Sequence, residues 1–289
     1  MIWSMYEEAA PPGPLAGVAR CVWRSASAGP KRIVPDGCLD LVVGDGGVFI
    51  AGPDTAAWSS VTRPGAELRG VRFTPGRAPA VLGVAADELR DRRVSLGELW
   101  GQAGEVLAER LLSGELTPAQ AVASRLPEVG PADQAVAALI ARLDAGAARV
   151  AEAAAMVTGA GQDGVSPAQV AEATAMLDRP TPPSAAPEVA AARLEDPGPF
   201  AVSERRLRRR FVQAVGYGPA TYLRVTRFQR AVALAPRVDG LAALAAAAGY
   251  SDQAHLSRDC RALTGLTPRA YFRTPSTVDE AVRDRLRSA

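Results

Sequence analysis

The chain has 289 residues, of which 48% are hydrophobic and 22% charged. At roughly 150 residues per domain, this length predicts about two domains, each with enough apolar residues for its own core. No apolar run approaches the ~18 residues of a membrane span, and the N-terminus lacks the basic region of a signal peptide. Three cysteines and one histidine are too few for a disulfide framework or for most metal and His-based triad sites. We therefore expect a cytoplasmic protein that holds no metal and is not an enzyme.

The charged residues are distributed unevenly along the chain. From residue 200 to the end there are 16 arginines and 7 acidic residues, whereas residues 1–199 have 17 basic and 24 acidic residues. Such a split is typical of a protein in which one part meets a polyanion. A basic surface that is merely solvated is the alternative, and charge alone does not decide between the two.

The first half of the chain begins with a pattern of short strands. Four apolar or alternating runs are separated by Gly, Pro and Asp turn sequences, at 16–23, 38–43, 48–52 and 67–73. This spacing predicts an antiparallel sheet or a small barrel over residues 16–75. After Pro75-Gly76 the pattern becomes helical, and the candidate core residues there are Leu89, Leu96, Leu99 and Trp100.

Residues 131–157 carry the clearest amphipathic helix of this half, with an apolar stripe at three- and four-residue steps: Val136, Leu139, Ile140, Leu143 and Val150. We expect this stripe to pack on the core of the N-terminal domain. A dimer seam is the alternative, but the stripe is too short for sustained heptads. The flexible sequence at 159–164 then marks a domain boundary, and the proline-rich stretch at 178–187 a second break.

The C-terminal third contains an internal repeat at an offset of 49 residues. Five positions of the first copy recur in the second: Leu207, Arg209, Gly216, Pro219 and Tyr222 match Leu256, Arg258, Gly265, Pro268 and Tyr271. Each copy has a serine as candidate N-cap, about 12 helix-favouring residues, and then a glycine followed by a proline. Two copies of one helical unit therefore lie in tandem.

The second copy has the pattern of a helix-turn-helix. Residues 241–248 predict a short helix, Gly249-Tyr250-Ser251 a tight turn, and Asp252 the start of a second helix. In this motif the second helix enters the major groove of DNA. Leu256, Cys260 and Leu263 share its inward face, whereas four polar residues remain available to bases or phosphates: Gln253, His255, Ser257 and Arg258.

The first copy has five arginines in six helical positions. With Leu207 and Phe211 inward, three of them point outward together and two lie towards the flanks: Arg205, Arg208 and Arg209, then Arg206 and Arg210. They repel one another unless a partner such as DNA neutralises them. Between the copies, residues 219–235 predict a helix of roughly 25 Å that can hold two recognition helices about one duplex turn (~34 Å) apart.

The strings SERRLRRRF…VGYGP…Y…RFQRA and LAALAAAAGYSDQAHLSRD…LTGLTPRAY resemble the DNA-binding domain of the AraC/XylS family of transcriptional regulators. The resemblance covers about the last 110 residues and implies two helix-turn-helix subdomains that read adjacent major grooves. By position it implies base contacts from Arg205, Arg208, Arg209, Gln253, His255 and Arg258. PDGCLDLVV, AGPDT and GVRFTPGRAPAVLGVAADELRD are similar to a domain of unknown function found ahead of such domains.

Taken together, these patterns and the resemblance predict an α+β regulator. A sensing or dimerising domain, β-rich over 16–75 and helical over 76–157, occupies residues 1–157. An all-helical DNA-binding domain follows at 165–273, with a tail at 274–289. The partners implied are double-stranded promoter DNA and a small-molecule effector at the N-terminal domain, and RNA polymerase and a second copy of the chain are candidate partners. No cofactor is expected.

The sequence departs from the family pattern at two places. The offset places the helix before the first recognition helix at 192–199, where Asp196-Pro197-Gly198-Pro199 cannot continue a helix. We expect that helix at Pro187–Leu194 and a lengthened turn over 195–202, which leaves open whether the first unit is competent. The second departure is Cys260, a small residue at the position that Phe211 occupies in the first copy.

Two other functions remain open. Cys21 and Cys38 lie in or beside predicted strands and are candidates for a redox-sensitive pair that switches DNA affinity, although two small buried hydrophobes are the commoner interpretation. An enzyme with a DNA-binding appendage would need a catalytic pair among the turn aspartates Asp36, Asp40, Asp45 and Asp54. Turn aspartates are common for local hydrogen-bonding reasons, so we favour the regulator.

Overall fold

The computed structural model describes residues 5–26, 31–44, 47–60, 62–63, 65–126, 130–146, 150–158 and 203–272. The predicted helix at Pro187–Leu194, its lengthened turn, the breaks at 159–164 and 178–187, and the tail at 274–289 lie outside the described residues. Asp45 also lies outside them. Within the described ranges, no helix is long and apolar enough to cross a membrane.

The first part of the chain forms an antiparallel sheet. Its strands are β1 (Met5–Ala9), β2 (Ala19–Ala26), β3 (Lys31–Ile33), β4 (Asp40–Gly44), β5 (Gly47–Ala51), β6 (Trp58–Ser60), β7 (Glu67–Phe73) and β8 (Arg93–Ser95). Six of them pair in the order β1-β2-β7-β4-β5-β8, and β3 pairs with β6 in a separate two-stranded ribbon. The four predicted strands correspond to β2, β4, β5 and β7, which confirms the β-rich first half. The other four are short or lie at an edge, where apolar alternation is weak.

One face of this sheet builds the first core. Leu41, Val43, Ile50, Val71 and Phe73 alternate inward along their strands and are buried under the helices α1 (Ala78–Leu82), α2 (Leu96–Leu112) and α3 (Pro118–Ala123). α2 begins with a capping box, in which the Ser95 hydroxyl accepts from the Glu98 backbone N–H and the Glu98 carboxylate accepts from that of Ser95. The predicted core residues of this region are buried or half-buried here.

The remaining helices share a second core. They are α4 (Gln134–Asp144), α5 (Val150–Thr158), α6 (Glu204–Val215), α7 (Pro219–Leu234), α8 (Leu241–Ala248), α9 (Gln253–Thr264) and α10 (Pro268–Tyr271). The helix predicted over 131–157 ends at Asp144, and Val150 lies on the separate helix α5. The apolar stripe of α4 is buried in this cluster together with Leu207 and Phe211 of α6, and α4 contacts both α6 and α7. The expectation that the stripe packs on the N-terminal core is therefore wrong. Periodicity predicts which face of a helix is buried but not the element that covers it.

Candidate nucleic-acid interface

The internal repeat is visible in the structure. α6 and α9 each span 12 residues and begin and end at positions that correspond at the 49-residue offset. Both helices end at a glycine in the left-handed conformation, Gly216 with φ 97° and Gly265 with φ 73°, which explains the glycine stop of each copy. The N-cap of α6 is Ser203, as predicted, whereas α9 is capped by Asp252 rather than by Ser251. Its carboxylate accepts the backbone N–H of His255 at 2.6 Å.

The second unit is a helix-turn-helix. α8 ends at Gly249, Tyr250 turns inward and is buried, and α9 starts at Gln253 after a four-residue turn. Leu256, Cys260 and Leu263 occupy the inward face of α9, as predicted. The Cys260 Sγ lies 3.4 Å from the Leu266 carbonyl oxygen, so the local chain closes over this smaller side chain.

The exposed face of α6 is strongly cationic. Arg205, Arg206 and Arg209 are exposed, and their side chains form no hydrogen bond or ion pair with the described part of the chain. Arg208, predicted to point outward, is half-buried, and Arg206, predicted at the flank, is exposed. Glu204 is the single acidic residue of the helix, so the positive charges on this face are not neutralised within it.

Arg210 differs from its neighbours because it forms an ion pair with another residue of the protein. Its Nε donates to the Asp133 Oδ2 at 2.6 Å, and its Nη2 lies 2.5 Å from the Asp133 Oδ1. This two-point contact joins α6 to the residue that caps α4. Arg210 therefore joins α6 to α4 in this structure.

The predicted contact residues of α9 fall into two groups. Gln253 and Arg258 are exposed, with the exposed Ala254 beside Gln253. His255 is half-buried: its Nδ1 lies 3.1 Å from the Ser251 Oγ, and its ring packs edge-on against Tyr250. The Ser257 hydroxyl donates to the Gln253 backbone carbonyl at 2.8 Å. Of the four predicted contact residues on α9, Gln253 and Arg258 are thus free for a ligand. His255 and Ser257 contact other groups of the protein.

Sequence reasoning missed an ionic group between α7 and α9. Asp259 is buried, its Oδ1 lies 3.3 Å from the Arg224 Nε, and its Oδ2 lies 3.8 Å from the His255 Nε2. Burial raises the pKa of Asp259, and the nearby Arg224 and His255 oppose that rise. The i, i+4 spacing of His255 and Asp259 on α9 was the available signal. This group fixes α9 against the connecting helix α7.

The helix that precedes α6 in the described chain is α5. It contacts α6 and α7, as α8 contacts α9 and α7. The first residue of α5, Val150, can be aligned with the first residue of α8, Leu241. In this alignment the fourth and fifth residues of each helix are buried, and the third and seventh residues of each helix are exposed. The two pairs differ in the connection, because four residues separate α8 from α9 and 45 separate α5 from α6. α5 thus packs against α6 as α8 packs against α9, although 45 residues separate it from α6 in the chain.

The candidate redox pair is separated by a strand. Cys21 on β2 pairs with Arg72 on β7, and β7 also pairs with β4, which Cys38 precedes. Two strand spacings amount to ~9.5 Å, beyond the ~7 Å between Cα atoms that a disulfide tolerates. Burial raises the pKa of the Cys21 thiol to about 12 and also raises that of Cys38. A cation approaches Cys38, since the Arg20 Nη1 lies 3.9 Å from its Sγ, but the effect of burial on the thiol pKa is larger.

The aspartates considered for catalysis are held in ion pairs. The Arg72 Nε lies 3.2 Å from both the Asp36 Oδ2 and the Asp40 Oδ1, and Trp23 donates its indole N–H to Asp40 at 2.8 Å. Both Nη atoms of Arg93 donate hydrogen bonds to the Asp54 carboxylate, each at 2.8 Å. Among the residues whose placement is described, no group of three or more His, Cys, Asp and Glu side chains is arranged to hold a metal ion.

Two family models match the chain. Residues 199–274 match a helix-turn-helix domain, and residues 7–95 match a domain of unknown function, DUF6597. No curated protein and no solved structure matches it. The first match covers α6–α10, the region that carries the exposed arginines, and the second covers the strand-rich region, which confirms the family predicted from the sequence. A C-terminal helix-turn-helix domain of the AraC type behind a DUF6597 domain identifies the chain as a DNA-binding transcriptional regulator of the AraC family.

Proposed function

We propose that this regulator is sequence-specific and that α6 and α9 are its two recognition helices, one in each of two adjacent major grooves. The observation that carries this proposal is the pair of equivalent helices with matched inward faces and opposite faces that are exposed and cationic. Such faces fit the phosphates and the guanine edges of a duplex.

The exposed side chains define a narrower contact set than the sequence pattern. On α6 we assign the contacts to Arg205, Arg206 and Arg209, with Arg208 at the flank. On α9 we assign them to Gln253 and Arg258. The chain contains no asparagine, so the recognition of adenine would rest largely on Gln253. The internal bonds of Arg210, His255 and Ser257 favour structural roles for these three residues.

Alanine substitution of Arg209 or Arg258 tests this assignment. If these side chains read bases, each substitution costs about 1–3 kcal/mol at the preferred duplex, which is roughly 5- to 150-fold in affinity, and weakens discrimination there. The preferred duplex is obtained by selecting random duplexes with the full chain, and affinities are measured by mobility shift at fixed salt.

Arg110→Ala is the matched control, because Arg110 is exposed on α2 and pairs with Glu115 at 2.7 Å in the N-terminal part. It should leave DNA affinity unchanged. Equal losses on every duplex would show that Arg209 and Arg258 contact only phosphate. No loss from either variant would contradict the proposed interface.

We also propose that the DNA-binding domain begins near residue 130 instead of 165. In this arrangement α4 and α5 belong to the first helix-turn-helix unit, and residues 159–202 are an insertion between its two helices. The support is the shared core of α4–α10 and the matched burial of α5 and α8.

Finally, we propose that a small-molecule effector acts on the N-terminal domain in the cytoplasm. The supporting feature is a half-buried group of side chains on the second face of the sheet, where Tyr6 stacks on Trp23 at 6.2 Å and Glu8, Asp36 and Asp40 surround Arg72. An apolar cavity between the sheet and α2–α3 has room only for a water-sized molecule. Binding to RNA polymerase and to a second copy of the chain stays a prediction.

A further inference from the structure

The N-terminal domain binds the C-terminal end of the second recognition helix. The Ala57 backbone N–H donates to the Leu263 carbonyl at 2.7 Å, and the Arg32 Nη1 donates to the Thr264 carbonyl at 2.6 Å. Both acceptors lie in the last turn of α9, where carbonyls lack helical partners. The positive charge of Arg32 also stands at the negative end of the helix dipole. The donors come from the β3–β6 ribbon and its edge.

The same domain also abuts the equivalent end of the first recognition helix. A Cβ placed on Gly216 would lie 2.3 Å from the Pro53 Cγ and 3.0 Å from the Ala86 carbonyl oxygen. At the corresponding glycine of α9, Gly265, the nearest atom to such a Cβ would be the Arg32 Nη1, at 3.7 Å. The N-terminal domain thus lies close to the glycine that ends the helix in each copy of the repeat, Gly216 and Gly265.

A third contact joins the domain to the connecting helix α7. Gln229 donates its side-chain N–H to the Pro35 carbonyl at 2.6 Å, and a Cβ at Gly37 would lie 3.0 Å from the Tyr222 ring. Val34, immediately before Pro35, packs against the core of the helical domain. One continuous stretch, residues 32–37, therefore spans from α7 to the end of α9.

From these contacts we propose that the N-terminal domain sets the spacing and direction of the two recognition helices by binding the C-terminal ends of both. Arg32 is the positioning residue at the second helix. The proposed DNA-contact residues lie in the N-terminal halves of α6 and α9 and are exposed. The N-terminal domain can therefore hold both helices without covering these residues. A change in the N-terminal domain that moved the β3–β6 ribbon would alter how the two helices face DNA. That consequence rests on the proposed function.

The geometry is tested in the full chain without DNA. Spin labels are placed at Gln213→Cys on α6 and Ala262→Cys on α9, two exposed positions that correspond at the 49-residue offset. The distance between the labels is measured by double electron–electron resonance, and background labelling of the three buried native thiols is measured on the chain without added cysteines. We expect a single narrow distribution, which Arg32→Ala broadens or shifts and Arg110→Ala leaves unchanged.

The conservative variant Arg32→Lys keeps a donor and the charge, so it should restore most of the narrow distribution. Each variant is melted first, and if Arg32→Ala loses its folding transition the comparison is made with Arg32→Gln. A distribution that is unchanged when Arg32 is replaced would overturn the proposal. A role confined to stability would lower the melting temperature without widening the distribution.

DNA binding supplies a second measurement. Because a fixed spacing raises the effective concentration of the second unit, Arg32→Ala should weaken binding to a duplex with two half-sites by about tenfold and binding to one half-site by less than about twofold. Equal losses on both duplexes would count against a positioning role. If no duplex binds the wild-type chain, the proposed function fails, whereas the spin-label distances still decide the positioning role of Arg32.

Discussion

Neighbouring residues of one helix have different roles because each step along the helix turns the side chain by ~100°. Arg209 is exposed on α6, whereas Arg210 is bound by Asp133, which lies 77 residues earlier in the chain. On α9, Arg258 is exposed while the adjacent Asp259 is buried against Arg224. Charge and spacing predict a cationic face, but the partner that removes one residue from it becomes visible only in three dimensions.

The thiols give a prediction at this scale. Oxidation of the folded chain with diamide should form no bond between Cys21 and Cys38, because β7 separates them and burial suppresses both thiolates. DNA affinity should therefore not respond to the oxidant, in the wild type or in Cys38→Ser. Mass spectrometry under non-reducing conditions checks the bond. A linked Cys21–Cys38 peptide from folded protein would revive the redox alternative.

The helices α4 and α5 show that an element can pack into a core whose other helices lie far away in sequence. Their apolar faces complete the core around α6 and α7, and Arg210 bonds to the Asp133 cap of α4. α4 and α5 therefore support α6, although α5 ends 45 residues before α6 begins.

Truncation tests this arrangement. A fragment of residues 130–289 keeps the whole second core, whereas a fragment of residues 165–289 loses five of its buried side chains: Val136, Leu139, Ile140, Leu143 and Ala153. Each large buried aliphatic residue contributes about 2–5 kcal/mol, and a domain is stable by only about 5–15 kcal/mol. We expect a cooperative thermal transition by circular dichroism from the longer fragment and none from the shorter one. Equal melting temperatures would place α4 and α5 outside the domain.

On the scale of the whole molecule, the two units of the repeat are joined through a shared helix and through the N-terminal domain. α7 has 16 residues, a length of about 24 Å, and connects the two units directly. Its Arg230 donates to the Asp144 carbonyl at 3.0 Å and to the Ala248 carbonyl at 3.5 Å, at the ends of α4 and α8. This arrangement favours a binding site in which the two half-sites lie on one face of the duplex.

The spacing of the half-sites tests that arrangement. Inserting five base pairs between them turns one half-site by about half a turn of the duplex, so both helices cannot bind at once and affinity should fall at least about tenfold. A duplex of equal length with the five base pairs added outside the half-sites is the control. Mobility shift with the full chain measures both. Unchanged binding to the interrupted site would mean that the units move independently.

The sequence by itself determined the helical repeat, the family, four strands of the sheet and the exposure of Arg205 and Arg209, because these depend on local signals: caps, glycine stops, turn residues and periodicity. Only the tertiary structure decided which core covers the stripe of α4, that α5 packs against α6, and that Arg210, His255 and Ser257 are engaged internally. It also brought Arg32 and Ala57 to the end of α9. These contacts join residues far apart in the chain, and a local pattern records that a surface is buried without recording what buries it.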